Sequence, residues 1–272
     1  MKKIIIQGLG IVALFFSSWF ILAQIDWMHL LEIEQNTQKT EKKLGELFLE
    51  NFTTNDSENK NTFIITSIDS IANKICTANN IDRESLKIHI INKDDVNAFA
   101  LPDGHLIIYS DLILQSESPE ALSGVIGHEI AHIQKNHIMK KLVKEVGLSV
   151  LISLTTGNNS GQIISETARS LSSSAFDKDL EKEADLKAVD YLLEAQINPN
   201  PFADFLYQMS DSNENSKYLS WLGTHPESKE RANYVVEYSM NKPRDFKPVL
   251  SSNTWKRIKE ELQTSSDYKL SN

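Results

Sequence analysis

The sequence predicts an α+β domain, mainly helical with one small sheet, carried behind an N-terminal transmembrane helix. Three observations predict it. Residues 4–23 form an essentially uncharged apolar run, long enough to span a bilayer. Three short strand patterns follow near residues 86–92, 96–101 and 104–109. From about residue 117 onward, apolar residues recur mostly with helical spacing. A chain of 272 residues, 40% hydrophobic with only 10 glycines and 7 prolines, has the material for a sizeable helical core.

Taken in chain order, Met1-Lys2-Lys3 precedes the apolar run, and Asp26, Glu32 and Glu34 follow it. That charge bias favours a cytoplasmic N-terminus, with everything after residue 25 outside the cytoplasm, on the periplasmic side of a Gram-negative envelope. A cleaved signal would have a shorter apolar core and small residues before the cut. Ala23 could mark such a cut, but Ile21 suits the −3 position poorly, so a single-pass anchor over residues 1–25 is the expectation and a soluble periplasmic form the alternative. Residues 26–61 read as a polar helix through Lys42, Leu44, Leu47 and Phe48, then a linker over 53–61. The main domain is expected over 62–242. It opens on a helix near 62–80 in which the single Cys76, among Ile71, Ile75 and Ile81, reads as a buried hydrophobe.

In the strand region, Leu106 and Ile108 alternate with their neighbours up to Tyr109, and Gly104 supplies the positive φ of the preceding turn. The segment Gly104, His105, Leu106, Ile107, Ile108 is expected to be a sheet edge onto which an extended peptide adds, with His105 at the surface. The apolar stretch 146–156 is too short to span and reads as a buried or lid-forming helix. Residues 157–174, rich in Ser, Asn and Gly, read equally as a mobile lid or a disordered connector. The tail 243–272 is expected to hold one short helix around Trp255 to Leu262 and a loose end. A net charge of −9 argues against nucleic acid as a partner.

The chemistry lies in His128-Glu129-Ile130-Ala131-His132. On a helix, positions i and i+4 share a face, so both imidazoles can converge on one ion. Glu129 then sits where it can take a proton from a water that the metal activates. Glu117-Ser118-Pro119-Glu120 opens this helix, and Ala121, Leu122, Val125, Ile126, Ile130 and Ile133 give it an apolar stripe. A catalytic site needs a third ligand. The continuation H-E-x-x-H-x-x-G-x-x-H is excluded, because Lys135 and Ile138 stand at its glycine and third histidine. His137 lies about 140° around the helix from His132 and reads as a solvated or interhelical histidine. The remaining solution is a carboxylate from a second helix, beginning near Asp177 and continuing through Ala184, Ala188, Val189 and Leu192. There Glu181 and Asp185, at i and i+4, supply a metal ligand and an acceptor for the outer N–H of a ligating histidine. Taken alone they are an ordinary charged face; beside the upstream motif they complete a site. Two imidazoles and a carboxylate suit zinc.

H-E-I-A-H followed by E-K-E-A-D-x-x-A resembles the gluzincin zinc metallopeptidases, the group that includes the CAAX prenyl endopeptidases of the Ste type, HtpX and BepA. Asn97-Ala98-Phe99-Ala100-Leu101-Pro102-Asp103-Gly104 and Thr224-His225-Pro226 with Arg231 are similar to two further motifs of that family. The resemblance implies a zincin-like fold and one Zn2+ per chain on His128, His132 and Glu181, with Glu129 as general base. It assigns His225 either to the oxyanion or to capping the zinc in a resting form. A single anchor, rather than many spans, resembles the periplasmic quality-control members, which implies endopeptidase action on unfolded or extended polypeptides of the envelope. A metal-binding chaperone or latent binding module is the alternative. Two departures stand out. Asp103-Gly104 replaces two glycines, and Lys178 replaces an arginine, keeping the charge but losing the bidentate fork.

Overall fold

The computed structural model describes residues 33–156, 161–211, 218–226, 228–240, 242 and 245–270. The anticipated membrane helix lies outside these residues. Among them, no helix is long and apolar enough to cross a membrane. Contacts divide the chain into Met1–Glu41 and Lys42–Asn272. In the first unit, residues 33–41 are helical and begin α1 (Ile33–Asn55). Everything below concerns the second.

After α1 come α2 (Thr62–Ala78), β1 (Lys87–Ile91), β2 (Ala98–Ala100), β3 (His105–Tyr109) and α3 (Ser110–Gln115). The sheet order is β1-β3-β2, with β1 parallel and β2 antiparallel to β3. Alternation places Leu106 and Ile108 in one hydrophobic cluster and Ile107 and Tyr109 in another, so β3 is buried on both faces. The segment Gly104, His105, Leu106, Ile107, Ile108 is therefore not an edge. The Pro102-Asp103-Gly104 turn folds β3 back on β2, and β1 takes its other side. His105 is likewise buried, not at the surface: its Nδ1 lies 2.9 Å from His89 Nε2 on β1. The turn holds two left-handed residues, Asp103 at φ 61° and Gly104 at φ 71°. Asp is one of the few side chains that tolerates this region. Gly104 has no alternative, since a Cβ there would stand 1.8 Å from the Ser85 carbonyl oxygen.

Helices make the rest: α4 (Pro119–Gln134), α5 (His137–Val146), α6 (Leu148–Thr155), α7 (Gly161–Leu171), α8 (Lys178–Glu194), α9 (Asn200–Asp211), α10 (Leu219–Thr224), α11 (Ser228–Ser239) and α12 (Ser252–Leu270). The start of α4 is set by Ser118, whose Oγ accepts from the Ala121 amide at 3.1 Å, with Pro119 in the first turn. It is buried along most of its length because α8, α9 and β2 all pack on it. At Gly124 a Cβ would meet the Phe202 side chain of α9 at 2.2 Å, so only glycine admits that contact. Ala184 and Ala188 on α8 are fully buried and let that helix approach closely.

Two expectations for loops are corrected. Most of 157–174 is helix α7, whose Thr167, Ala168 and Leu171 are buried. The tail helix is also longer than expected. It continues to Leu270, and Trp255, Ile258 and Leu262 are buried in the main cluster. In both cases an apolar stripe of three or four residues, sparse within a polar composition, anchors a full helix through tertiary packing.

Candidate metal centre

Helix α4 projects His128, Glu129 and His132 into the interior, α8 projects Glu181 and Asp185 toward them, and the chain leaving α10 adds His225. All six are buried, at 0–2% exposure. One ligand atom from each of His128, His132, Glu181 and His225 lies within 4.8 Å of every other. The Nε2 atoms of His128 and His132 are 3.0 Å apart. Glu181 Oε1 is 3.2 Å from His132 Nε2, and Oε2 is 3.7 Å from His128 Nε2. His225 Nδ1 is 3.2 Å from both Glu181 oxygens and 3.4 Å from His128 Nε2.

These separations fit a common ion. A tetrahedral zinc with donors at about 2.0–2.2 Å holds them about 3.3–3.6 Å apart, along the edges of the tetrahedron. Charge agrees. The buried site carries three carboxylates, Glu129, Glu181 and Asp185, against one guanidinium, Arg231. A divalent cation offsets that excess of carboxylates, where uncompensated buried charge is expensive.

The surroundings set each group. Asp185 Oδ1 lies 2.8 Å from His128 Nδ1, the atom turned away from the cluster. That carboxylate is gripped by Arg231, whose Nε and Nη2 donate at 2.8 and 2.7 Å, and the Tyr234 hydroxyl also donates to it. Arg231 Nη1 stands 2.5 Å from Glu181 Oε2, so one guanidinium serves both carboxylates. Burial alone would raise the Glu181 and Asp185 pKa values; Arg231 and the histidines outweigh it and hold both carboxyls below the usual range. For His128, burial pulls the pKa down, but Asp185 and Glu181 prevail and raise it. His132 is driven to about 3, chiefly by burial. Glu129 is raised by burial, opposed by His225 and His128. Neither of its oxygens makes a side-chain hydrogen bond of ordinary geometry among the described residues, and His225 Nε2 stands 3.4 Å from Oε1.

Sequence reasoning missed three contributors. Phe176 stacks on the His132 ring, centroids 4.1 Å apart at 29°. Trp221 lies against His225 at 4.3 Å. His137 is fully buried, with Nδ1 3.0 Å from His132 Nδ1. His137 lies five residues after His132 and Trp221 four before His225, so both sit beside a motif, whereas Phe176 carries no local signal.

The fold and the site define a zinc metallopeptidase: a small sheet beside an H-E-x-x-H helix, with a glutamate from the next long helix meeting both histidines. A model of peptidase family M48 matches residues 65–239, and the chain belongs to that family. It is similar to the beta-barrel assembly-enhancing protease of Yersinia pestis, 23% identical over 202 residues, 66% of this chain and 41% of that protein. The metalloprotease LoiP of Escherichia coli is 29% identical over 174 residues, 61% of this chain and 67% of the relative. The mitochondrial metalloendopeptidase OMA1 of Schizosaccharomyces pombe is 27% identical over 156 residues, 56% of this chain and 46% of that protein. The chain thus spans less than half the length of the first and third of these.

Proposed function

We propose that this protein is a zinc endopeptidase of the cell envelope, anchored by residues 1–25, that hydrolyses unfolded or extended polypeptides. The observation that carries the reading is the four-donor cluster of His128, His132, Glu181 and His225 beside the fully buried Glu129. When bound, zinc supplies Lewis-acid polarisation of a carbonyl and a lowered pKa for water. His128, His132 and Glu181 would hold it, and Asp185 keeps the His128 proton on Nδ1 so that Nε2 is free to ligate. Glu129 takes the proton from the attacking water and returns it to the leaving amine. Burial raises its pKa, the direction that favours taking up a proton. Polypeptide substrates are supported by the description of both relatives as proteases, and the envelope setting by the predicted anchor.

An extended substrate would add to β2, the edge strand that packs on α4, rather than to β3. In the present arrangement that edge is closed, with Ala98, Phe99 and Ala100 buried at 1–2% exposure. Asn97 donates from Nδ2 to the Ser172 carbonyl at 3.3 Å, which ties the segment leading to Phe176 against the sheet. His225 stands between the ligand cluster and the base, its Nε2 3.4 Å from Glu129 Oε1. Of its two expected roles, the geometry supports capping: His225 fills the fourth donor position, and substrate has to displace it. The described form is a resting one.

The test is digestion of casein by the full chain in detergent, with bound zinc quantified. Wild type and Glu129→Gln should both carry near-stoichiometric zinc, and only wild type should cleave. Glu181→Ala should lose the metal. A wild-type protein without zinc would sink the assignment. Zinc without cleavage under any condition would favour a latent binding module.

A further inference from the structure

We propose that His137 and Glu183 are positioning residues that carry the outer hydrogen bond of His132 to the protein surface. This rests on the zinc reading above and adds the support of the second histidine ligand. His128 and His132 share a helix face but have unlike backing. His128 Nδ1 meets the Asp185 anion directly. His132 Nδ1 meets only the Nδ1 of His137, at 3.0 Å.

The protons on this chain follow from counting. A neutral imidazole holds one proton. With the lone pair of His132 Nε2 given to the metal, that proton is on Nδ1 and must be donated. His137 Nδ1 is then the acceptor, so the His137 proton resides on Nε2, from which it is donated to Glu183 Oε2 at 3.3 Å. Lys135 Nζ fixes the other Glu183 oxygen at 2.8 Å. His137 is fully buried, whereas the Glu183 and Lys135 side chains are 42% and 40% exposed. The relay therefore runs from the metal ligand to solvent, every member satisfied and only one tautomer allowed at each ring.

The backbone explains how a residue five positions on returns to the same imidazole. Asn136 adopts φ 54°, ψ 30°, a left-handed residue between α4 and α5. It ends one helix and starts the next, which swings His137 back toward His132. Asparagine is among the few non-glycine residues that take this conformation readily. The stacking of Phe176 on the His132 face then leaves that ring clamped on its face and at its edge.

The experiment is zinc affinity by chelator competition on the full chain, with the visible spectrum of the cobalt-substituted protein as a second readout. His137→Leu should weaken zinc binding by roughly 10–100-fold, the usual consequence of losing a ligand's hydrogen-bond partner. It should also shift the cobalt bands. His137→Gln, whose carbonyl oxygen can accept the same proton, should recover part of the affinity. Glu183→Ala, an exposed change that no packing role of His137 would transmit, should weaken zinc in the same direction by a smaller factor. Wild-type affinity in both His137→Leu and Glu183→Ala overturns the proposal. So does a loss confined to His137→Leu, which would make that residue a packing group. No zinc in the wild type would overturn the zinc reading together with the relay, whereas zinc-loaded wild type with unmoved variants overturns the relay alone.

Discussion

Replacing Arg231 by methionine tests whether the buried charges are arranged as described. The guanidinium is 3% exposed and serves two carboxylates, two-pronged to Asp185 and singly to Glu181. Methionine conserves most of the apolar stem, so the loss is electrostatic rather than a cavity. Removing one partner of a buried pair leaves the other charge stranded, at about 3–5 kcal/mol. For a folded unit of this size each kcal/mol lowers the melting temperature by about 2–4 °C, so the variant should melt about 6–20 °C below wild type. Arg231→Lys keeps the charge but meets Asp185 at one point instead of two, and it should fall between them. The assay is thermal unfolding of the full chain by circular dichroism, with zinc present throughout. A methionine variant that melts within about 2 °C of wild type would refute the reasoning, because the two carboxylates would then be solvated or neutral rather than held as a buried network.

Glu129→Gln should reduce the turnover of casein by about 10²–10⁴-fold while leaving zinc content intact, measured by gel densitometry beside metal analysis. Gly104→Ala should destabilise the fold by more than about 2 kcal/mol in a denaturant titration, because the added methyl meets the Ser85 carbonyl at 1.8 Å on a backbone at φ 71°. Stability should also fall in acid through His105, which burial, then His89 and Lys87, hold near pKa 4 against an ordinary 6.5. The unfolded chain binds this proton across that interval and the folded one does not. The contribution is thus complete above about pH 6.5 and is lost as pH drops toward 4. His105→Gln should flatten the pH dependence of the denaturation midpoint between pH 7 and 5, and an unchanged slope would exclude this histidine as its source.

How much of this could be read from the chain depends on whether a constraint was local. The i, i+4 spacings of His128 with His132 and of Glu181 with Asp185 are set by helix geometry, so the convergence of these side chains was legible before any packing was known. Which strand lies at the edge was not legible. Pairing order is a tertiary choice, and the alternation of β3 over two hydrophobic faces looks the same in the sequence whether its neighbours number one or two. The lysine-rich α5 and the Ser-rich approach to α8 gave no sign that Phe176 would stack on a ligand. His137, expected to be solvated or interhelical, is indeed buried between helices, and only its return to His132 was not foreseen. Its angle of about 140° from His132 holds only along an unbroken helix. Yet Lys135-Asn136 stands where a helix commonly ends, and asparagine is the second choice after glycine for the left-handed residue that ends it. Had the helix been stopped there, the next residue would have been free to return to the site. The error lay in carrying a helical period across a residue whose own conformational preference argues against it.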